Sequence, residues 1–368
     1  MARYENIDAA TVEGKRTIAR LLALKGLLQE KKRTTGGVPA KTLGSSLLLA
    51  TWNVREFGHN SKYGSRLPES LHYIAEVISA FDIVALQEVN ENLSDLQRVM
   101  RLLGPDWKYL LTDITLGRQG NGERMAFVYD ARKIAFEGLA SQLVLPAEVK
   151  QGGKLYYPSR QLARSPMMVG FRCNWFKFTI CTAHIYYGTS KALDPTRVAE
   201  IRILSKLLAE RATSEHAWAP NMILLGDFNI FQPEDETLKW IEKAGFFIPP
   251  LLKTFEAGES RMHYDQIAFL SARYGAQTRR DATKAKAGVV TFFDKVFKDE
   301  DEAVYAKHMG AKYRAIASPA KRSVHYRQWR TFQMSDHRPL WIELPVDFSR
   351  QFLGKKMPAA KKKRAPAR

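Results

Sequence analysis

The sequence predicts an α/β fold of two packed, mixed β-sheets with helices on their outer faces. Two observations predict it: short apolar runs bounded by polar punctuation outnumber helical stretches, and those runs arrive both as hairpins and as strand–helix–strand units. The 368-residue length allows one large domain or two modest ones, and 45% hydrophobic with 26% charged residues is the composition of a folded globular chain.

The first element is an amphipathic helix over residues 9–32, where Ile18, Leu21, Leu22, Leu24, Leu27 and Leu28 recur at helical spacing between basic residues. Two readings stand for it: docking on the body by its leucine face, or meeting a partner, a membrane surface or DNA. Strands follow at Leu47–Asn53, Asp82–Glu88, Arg124–Tyr129, Met167–Arg172, Phe176–His184, Met222–Asp227, Tyr264–Leu270 and Leu340–Leu344. Helices are predicted near Glu69–Ala80, Leu93–Leu103, Pro195–Arg211 and Glu234–Lys243. Residues 290–308 read as another helix, with Phe292, Phe293, Val296, Phe297 and Val304 on one side and the acidic run Asp299–Glu302 on the other. This gives three parts: a basic helical extension over 1–42, a main domain over 43–348 with an insertion at about 272–330, and a basic disordered tail over 349–368.

The net charge of +19 points to a polyanionic partner. The ends hold most of it: eight basic and no acidic residues from Arg350 onward, and nine basic against four acidic over residues 1–41. Cys173 and Cys181 are too few for a disulfide framework and lack zinc-site spacing, so two free thiols on neighbouring strands are expected. Basic residues interrupt the N-terminal leucines, which argues against a secretory signal, and no apolar run approaches the roughly 18 residues of a membrane helix. The expected location is cytoplasmic, or nuclear in a eukaryote if Lys361–Arg364 acts as an address, and the expected state is a monomer.

The predicted strand ends carry the chemistry. In order they are Thr51-Trp52-Asn53, Gln87-Glu88, Glu123-Arg124, Ala183-His184, Gly226-Asp227-Phe228-Asn229, Tyr264-Asp265 and Ser335-Asp336-His337. Each alone is a common strand-end carboxylate, amide or imidazole, and Gly-Asp-Phe-Asn alone reads as a turn. Seven in one order is a pattern, because buried strands disfavour polar ends without a reason.

The order and wording of these segments, over about Leu47 to Leu344, resemble the endonuclease/exonuclease/phosphatase family of metal-dependent phosphoesterases, which includes deoxyribonuclease I. The resemblance implies a four-layer α/β sandwich. It implies Asn53, Glu88 and Asp336 as ligands of Mg²⁺ or Mn²⁺, a hard oxygen set suited to such ions. It also implies that Asp227 and Asn229 orient water and hold a phosphate oxygen, and that Asp265 supports His337 beside the scissile phosphate. His184 matches a second active-site histidine oriented by Glu123, and Arg164 matches an arginine gripping a backbone phosphate. Tyr186 and Tyr187 follow His184, where they either line the cleft or stack a base, with Tyr186 a candidate at the substrate phosphate, or pack in a loop. The general base is Asp227 or His337.

His184 stands where abasic-site endonucleases lack histidine, and Tyr264-Asp265-Gln266-Ile267 lacks the wording of inositol-polyphosphate phosphatases. A nuclease acting on DNA, or RNA, is the resulting expectation. The alternatives are a phosphatase or phospholipase C-type hydrolase and a non-catalytic nucleic-acid-binding relative.

Overall fold

A computed structural model describes residues 2–356 apart from 32–35, 59, 61, 118–119, 147, 150–155, 158–160, 220, 259–261 and 272–284. The strands in chain order are β1 (Ser46–Phe57), β2 (Ile83–Val89), β3 (Trp107–Leu111), β4 (Arg124–Asp130), β5 (Ala135–Gln142), β6 (Glu148–Val149) and β7 (Tyr156–Tyr157), followed by β8 (Met167–Cys173), β9 (Phe176–His184), β10 (Asn221–Asp227), β11 (Asp265–Ser271), β12 (Ala287–Val289) and β13 (Leu340–Pro345). The helices are α1 (Val12–Gln29), α2 (Pro68–Ser79), α3 (Ser94–Leu103), α4 (Pro195–Thr213), α5 (Glu236–Lys243), α6 (Glu302–Tyr305), α7 (Gly310–Arg314), α8 (Pro319–Gln333) and α9 (Ser349–Lys356).

The strands form a six-stranded sheet ordered β12-β13-β1-β2-β4-β3, a five-stranded sheet ordered β11-β10-β9-β8-β5, and a small β6-β7 hairpin. Each large sheet holds one parallel pair, β1 with β2 and β9 with β10, among antiparallel neighbours. A parallel pair needs a long crossover, and α2 and α4 supply it. The C-terminal ends of β1, β2, β9 and β10 therefore open on one edge of the molecule.

Leu47 and Leu49 join Phe127, Phe171, Phe178 and Ile180 in one core cluster, whereas Leu48, Ala50 and Trp52 join Ile74 and Ile78 of α2 in the other. Alternate residues of β1 thus enter different cores, which is why that strand reads as an unbroken apolar run. The expected two-sheet sandwich flanked by helices is what the chain forms. Cys173 and Cys181 are buried free thiols on adjacent strands.

Four sequence expectations need correction. Strands β3, β5, β6, β7 and β12 were not anticipated; β3, β5 and β12 are edge strands, and β6 and β7 are a hairpin of two-residue strands. β5 (AFEGLASQ) alternates between exposed and half-buried residues without an apolar run, and β12, although buried, is only three residues long. Second, 290–308 is not one helix. Phe297 takes a φ of +49° and Lys298 is extended, so the segment breaks into single turns. Its apolar residues Phe292, Val296 and Phe297 are buried, Val304 is exposed, and the long helix of the insertion is instead α8. Third, α1 docks with Leu21, Leu24, Leu27 and Leu28 inward, but Ile18 and Leu22 face solvent. Arg16 with Glu69 and Lys25 with Glu76 bind its flank to α2. Fourth, residues 349–356, expected to be disordered, form α9. Residues 357–368, which include the Lys361–Arg364 cluster, and 272–284 of the insertion lie outside the described residues.

Candidate active site

The register of three strands sets the first row of the site. Asp227 pairs with His184 across β10–β9 and with Asp265 across β10–β11. Gly226 permits this approach: its φ is +137°, and a Cβ there would stand 2.0 Å from the Ala183 carbonyl oxygen. Asn229 follows in the left-handed region at φ +52°, a conformation asparagine tolerates, and its backbone N–H donates to Asp227 Oδ1 at 3.0 Å.

The other sheet supplies Asn53 and Glu88. Asn53 Nδ2 donates to Glu88 Oε1 at 2.8 Å and to Asp227 Oδ2 at 3.0 Å, which ties the two sheets together. Glu88 sits at φ +58°, strained for a residue with a long side chain, and is held by the Glu56 backbone N–H, which donates to Oε2 at 2.9 Å. Beneath them the Gln87 amide donates to Thr182 Oγ1 at 2.8 Å, a second bridge between the sheets.

Two histidines complete the arrangement. His337 Nδ1 lies 2.7 Å from Asp265 Oδ2 and His184 Nδ1 lies 2.9 Å from Glu123 Oε2. Their Nε2 atoms approach the same oxygen, Asp227 Oδ2, at 3.7 and 3.6 Å. Burial opposes a charge on His337, but Asp265 and Asp227 outweigh it and hold its pKa well above the ordinary value. Burial and Arg164 oppose charge on His184, yet Glu123 and Asp227 raise it as well. Asp227 resists its burial through His337, His184 and the Asn53 donor, and its pKa is lowered. Burial lifts Asp265 to about 6.

Glu123 is fixed from two sides. Arg164 Nε lies 2.8 Å from Oε2, and Asn121 Nδ2 donates to Oε1 at 3.1 Å. Burial alone would raise its pKa, but His184 and Arg164 bring it down to about 2. Glu88 differs: burial and then the nearby Glu123 charge raise its pKa. Ligand atoms of Glu88, Glu123 and His184 lie within 4.8 Å of one another, and the buried Asn53 Oδ1 has no hydrogen-bond partner among the described residues. Crowded carboxylates beside an unpaired hard oxygen are a donor set that fits a divalent cation.

Ten of the eleven anticipated residues gather here or border the site, and three of these differ from expectation in detail. Arg164 is buried with its guanidinium against Glu123, so in this state it braces a carboxylate. Asp336 sits at the rim with Oδ2 3.0 Å from Arg55 Nη1. Asn229 gives one amide hydrogen to the Ile185 carbonyl at 2.8 Å. Tyr186 is the eleventh: it is half-buried, with its backbone N–H bonded to Glu200. The ring beside His337 is that of Tyr264, 5.6 Å away, backed by Phe231 and Tyr187. Sequence reasoning gave Tyr264 no role, although it directly precedes Asp265.

The model of the Endonuclease/Exonuclease/phosphatase family matches residues 50–337, most of the chain. The chain belongs to the endonuclease/exonuclease/phosphatase family. Members of this family hydrolyse phosphoesters and generally depend on a divalent metal. No curated protein matches the chain. Among solved structures, the human Nocturnin catalytic domain with bound sulfate superposes with a TM-score of 0.50 at 14% identity, covering 81% of this chain and 93% of that one. Danio rerio TDP2 complexed with single-strand DNA product gives 0.49 at 12% identity, covering 81% and 98%. A mannosyl-6-phosphatase from Bacteroides thetaiotaomicron gives 0.47 at 18% identity, covering 81% and 99%.

Proposed function

We propose that this endonuclease/exonuclease/phosphatase member is a divalent-metal-dependent phosphodiesterase that cleaves nucleic acid, DNA ahead of RNA. The observation that carries the reading is the convergence of His184 Nε2, His337 Nε2 and Asn53 Nδ2 on one oxygen of Asp227. The basic surplus supports a polyanionic substrate, since Lys and Arg gain affinity by releasing counterions from phosphates.

Roles follow from the protonation states. His337, held protonated by two carboxylates, is unsuited to accept a proton at neutral pH and instead donates from Nε2 to a phosphoryl oxygen as negative charge grows there. Asp227 is ionised and accepts the proton of the attacking water, oriented with help from Asn229. Asp265 fixes the His337 ring, and Glu123, braced by Arg164, does the same for His184. Asn53 Oδ1 and the Glu88 carboxylate would hold the ion, Mg²⁺ or Mn²⁺, with Asp336 joining on release from Arg55. When bound, the cation supplies positive charge to the phosphoryl oxygens.

The test incubates protein with supercoiled plasmid, linear duplex and single-stranded RNA, in Mg²⁺ or EDTA, beside His337→Ala and Asp265→Asn. Metal-dependent cleavage is expected, reduced about 10²-fold or more in His337→Ala. Variants that cut as well as the parent, or a parent that leaves polynucleotides intact while releasing phosphate from small monoesters, would overturn the reading.

A further inference from the structure

Three of the four basic residues on α1 are paired with the body, and only the exposed Lys15 has no ion pair among the described residues. Arg16 pairs with Glu69, Arg20 with Asp301 and Lys25 with Glu76, while Lys307 of the insertion reaches back to Glu13. The surface of α7 and α8 is treated differently. Residues 310–333 contain six Lys and Arg and no Asp or Glu. Arg330 pairs with Asp299, and Arg322 donates to the Ile316 carbonyl. Lys312 and Lys321 are exposed, as is Lys62 on the loop after β1, and none has a carboxylate within ion-pair reach among the described residues.

These three lysines lie around one cluster of rings. Lys62 Nζ stands 5.0 Å over the Tyr63 ring, Lys312 directly precedes Tyr313, whose ring lies 5.8 Å from that of His325, and Lys321 lies one helical turn before His325. Tyr63 joins this patch to the active-site rim: its ring meets His325 edge-on at 5.5 Å and packs on Phe332 at 4.5 Å, and its hydroxyl donates to Gln328. Arg55 stacks over the Phe332 ring at 4.0 Å and contacts Asp336, next to His337 in the chain. A packed strip thus runs from the rim to the lysines. Like charges left together on a rigid platform are costly unless a partner neutralises them.

We propose that Lys62, Lys312 and Lys321 form a subsite for the phosphodiester backbone of the substrate strand, away from the bond that is cut. The inference rests on the nucleic-acid reading of the active site. The phosphates of a strand seated at the active site continue along the strip, and the lysines meet them as mobile point charges without reading bases.

The test measures anisotropy of a short fluorescein-labelled single-stranded oligodeoxynucleotide in EDTA across a salt series. It compares the parent with the combined variant Lys62→Ala/Lys312→Ala/Lys321→Ala and with Lys108→Ala/Lys206→Ala/Lys239→Ala, an equal loss of exposed charge elsewhere. At roughly 0.7 per phosphate contact, the first variant is expected to lower the log–log salt slope by about 2 and weaken binding about tenfold or more, the second to change neither. Hydrolysis of bis(p-nitrophenyl) phosphate in Mg²⁺ should be equal in all three proteins. Equal losses in both variants, no loss in the first, or displacement of the patch's effect to phosphatidylserine vesicles instead of the oligonucleotide would overturn the subsite. Failure of the parent to hydrolyse any diester would instead overturn the catalytic reading, whatever the binding result.

Discussion

Asp227 gathers most of the electrostatics of the site around one carboxylate, and the surrounding pKa shifts follow from it. It stabilises the protonated forms of His184 and His337 and is itself kept ionised by them. Glu123 offers the cleanest test at this scale. Its ordinary pKa of 4.5 falls to about 2 in the fold, so its ionised form contributes stability above about pH 4.5 that is lost as the pH drops toward 2. Glu123→Gln should destabilise the protein by about 3 kcal/mol at neutral pH, because Arg164 is left buried without its charge partner. The difference should shrink on acidification, as read by urea midpoints at several pH values. A pH-independent difference would show that packing, not charge, fixes this residue.

At the scale of elements, the central strands were legible and the edges were not. β1, β2, β9 and β10 are covered on both faces and therefore appear as apolar runs ending in polar residues. β3 and β5 are largely exposed or half-buried, and β12 is buried but only three residues long, so none carries such a signature. The helix expected at 290–308 failed for a related reason. Phe292, Val296 and Phe297 fit a helical period, but they are spent on separate turns packed against Trp52, Tyr305 and Trp329. A contact between elements sets Gly226: β10 approaches β9 so closely there that any side chain collides with Ala183. Gly226→Ala should cost roughly 3 kcal/mol or more through strain and clash, with a matching fall in the urea midpoint. A change under about 1 kcal/mol would mean that the two strands can separate at this point.

Over the whole molecule, the N-terminal extension and the insertion are one assembly laid on the outer face of the first sheet. α1 contacts α2 through buried leucines and reaches the insertion through Arg20 and Lys307. Deleting residues 2–31 should lower the urea midpoint strongly and reduce solubility, whereas Lys25→Ala alone should cost about 1–3 kcal/mol, because it leaves the buried Glu76 carboxylate without its cation. An unchanged midpoint in the deletion would make the docking of α1 energetically idle. No described helix is long and apolar enough to cross a membrane.

The sequence by itself determined the two-sheet sandwich, its central strands with their crossover helices, and the polar residues at the strand ends, because burial on both faces and abrupt polarity at a strand end leave a local signature. Tertiary structure decided what those residues meet. That Arg164 braces Glu123, that Tyr264 rather than Tyr186 stands beside His337, and that Tyr63 from the loop after β1 packs against His325 of α8 are all consequences of register and packing between distant parts of the chain. Such pairings carry no local periodicity, since each depends on how two sheets and an insertion come to rest against one another.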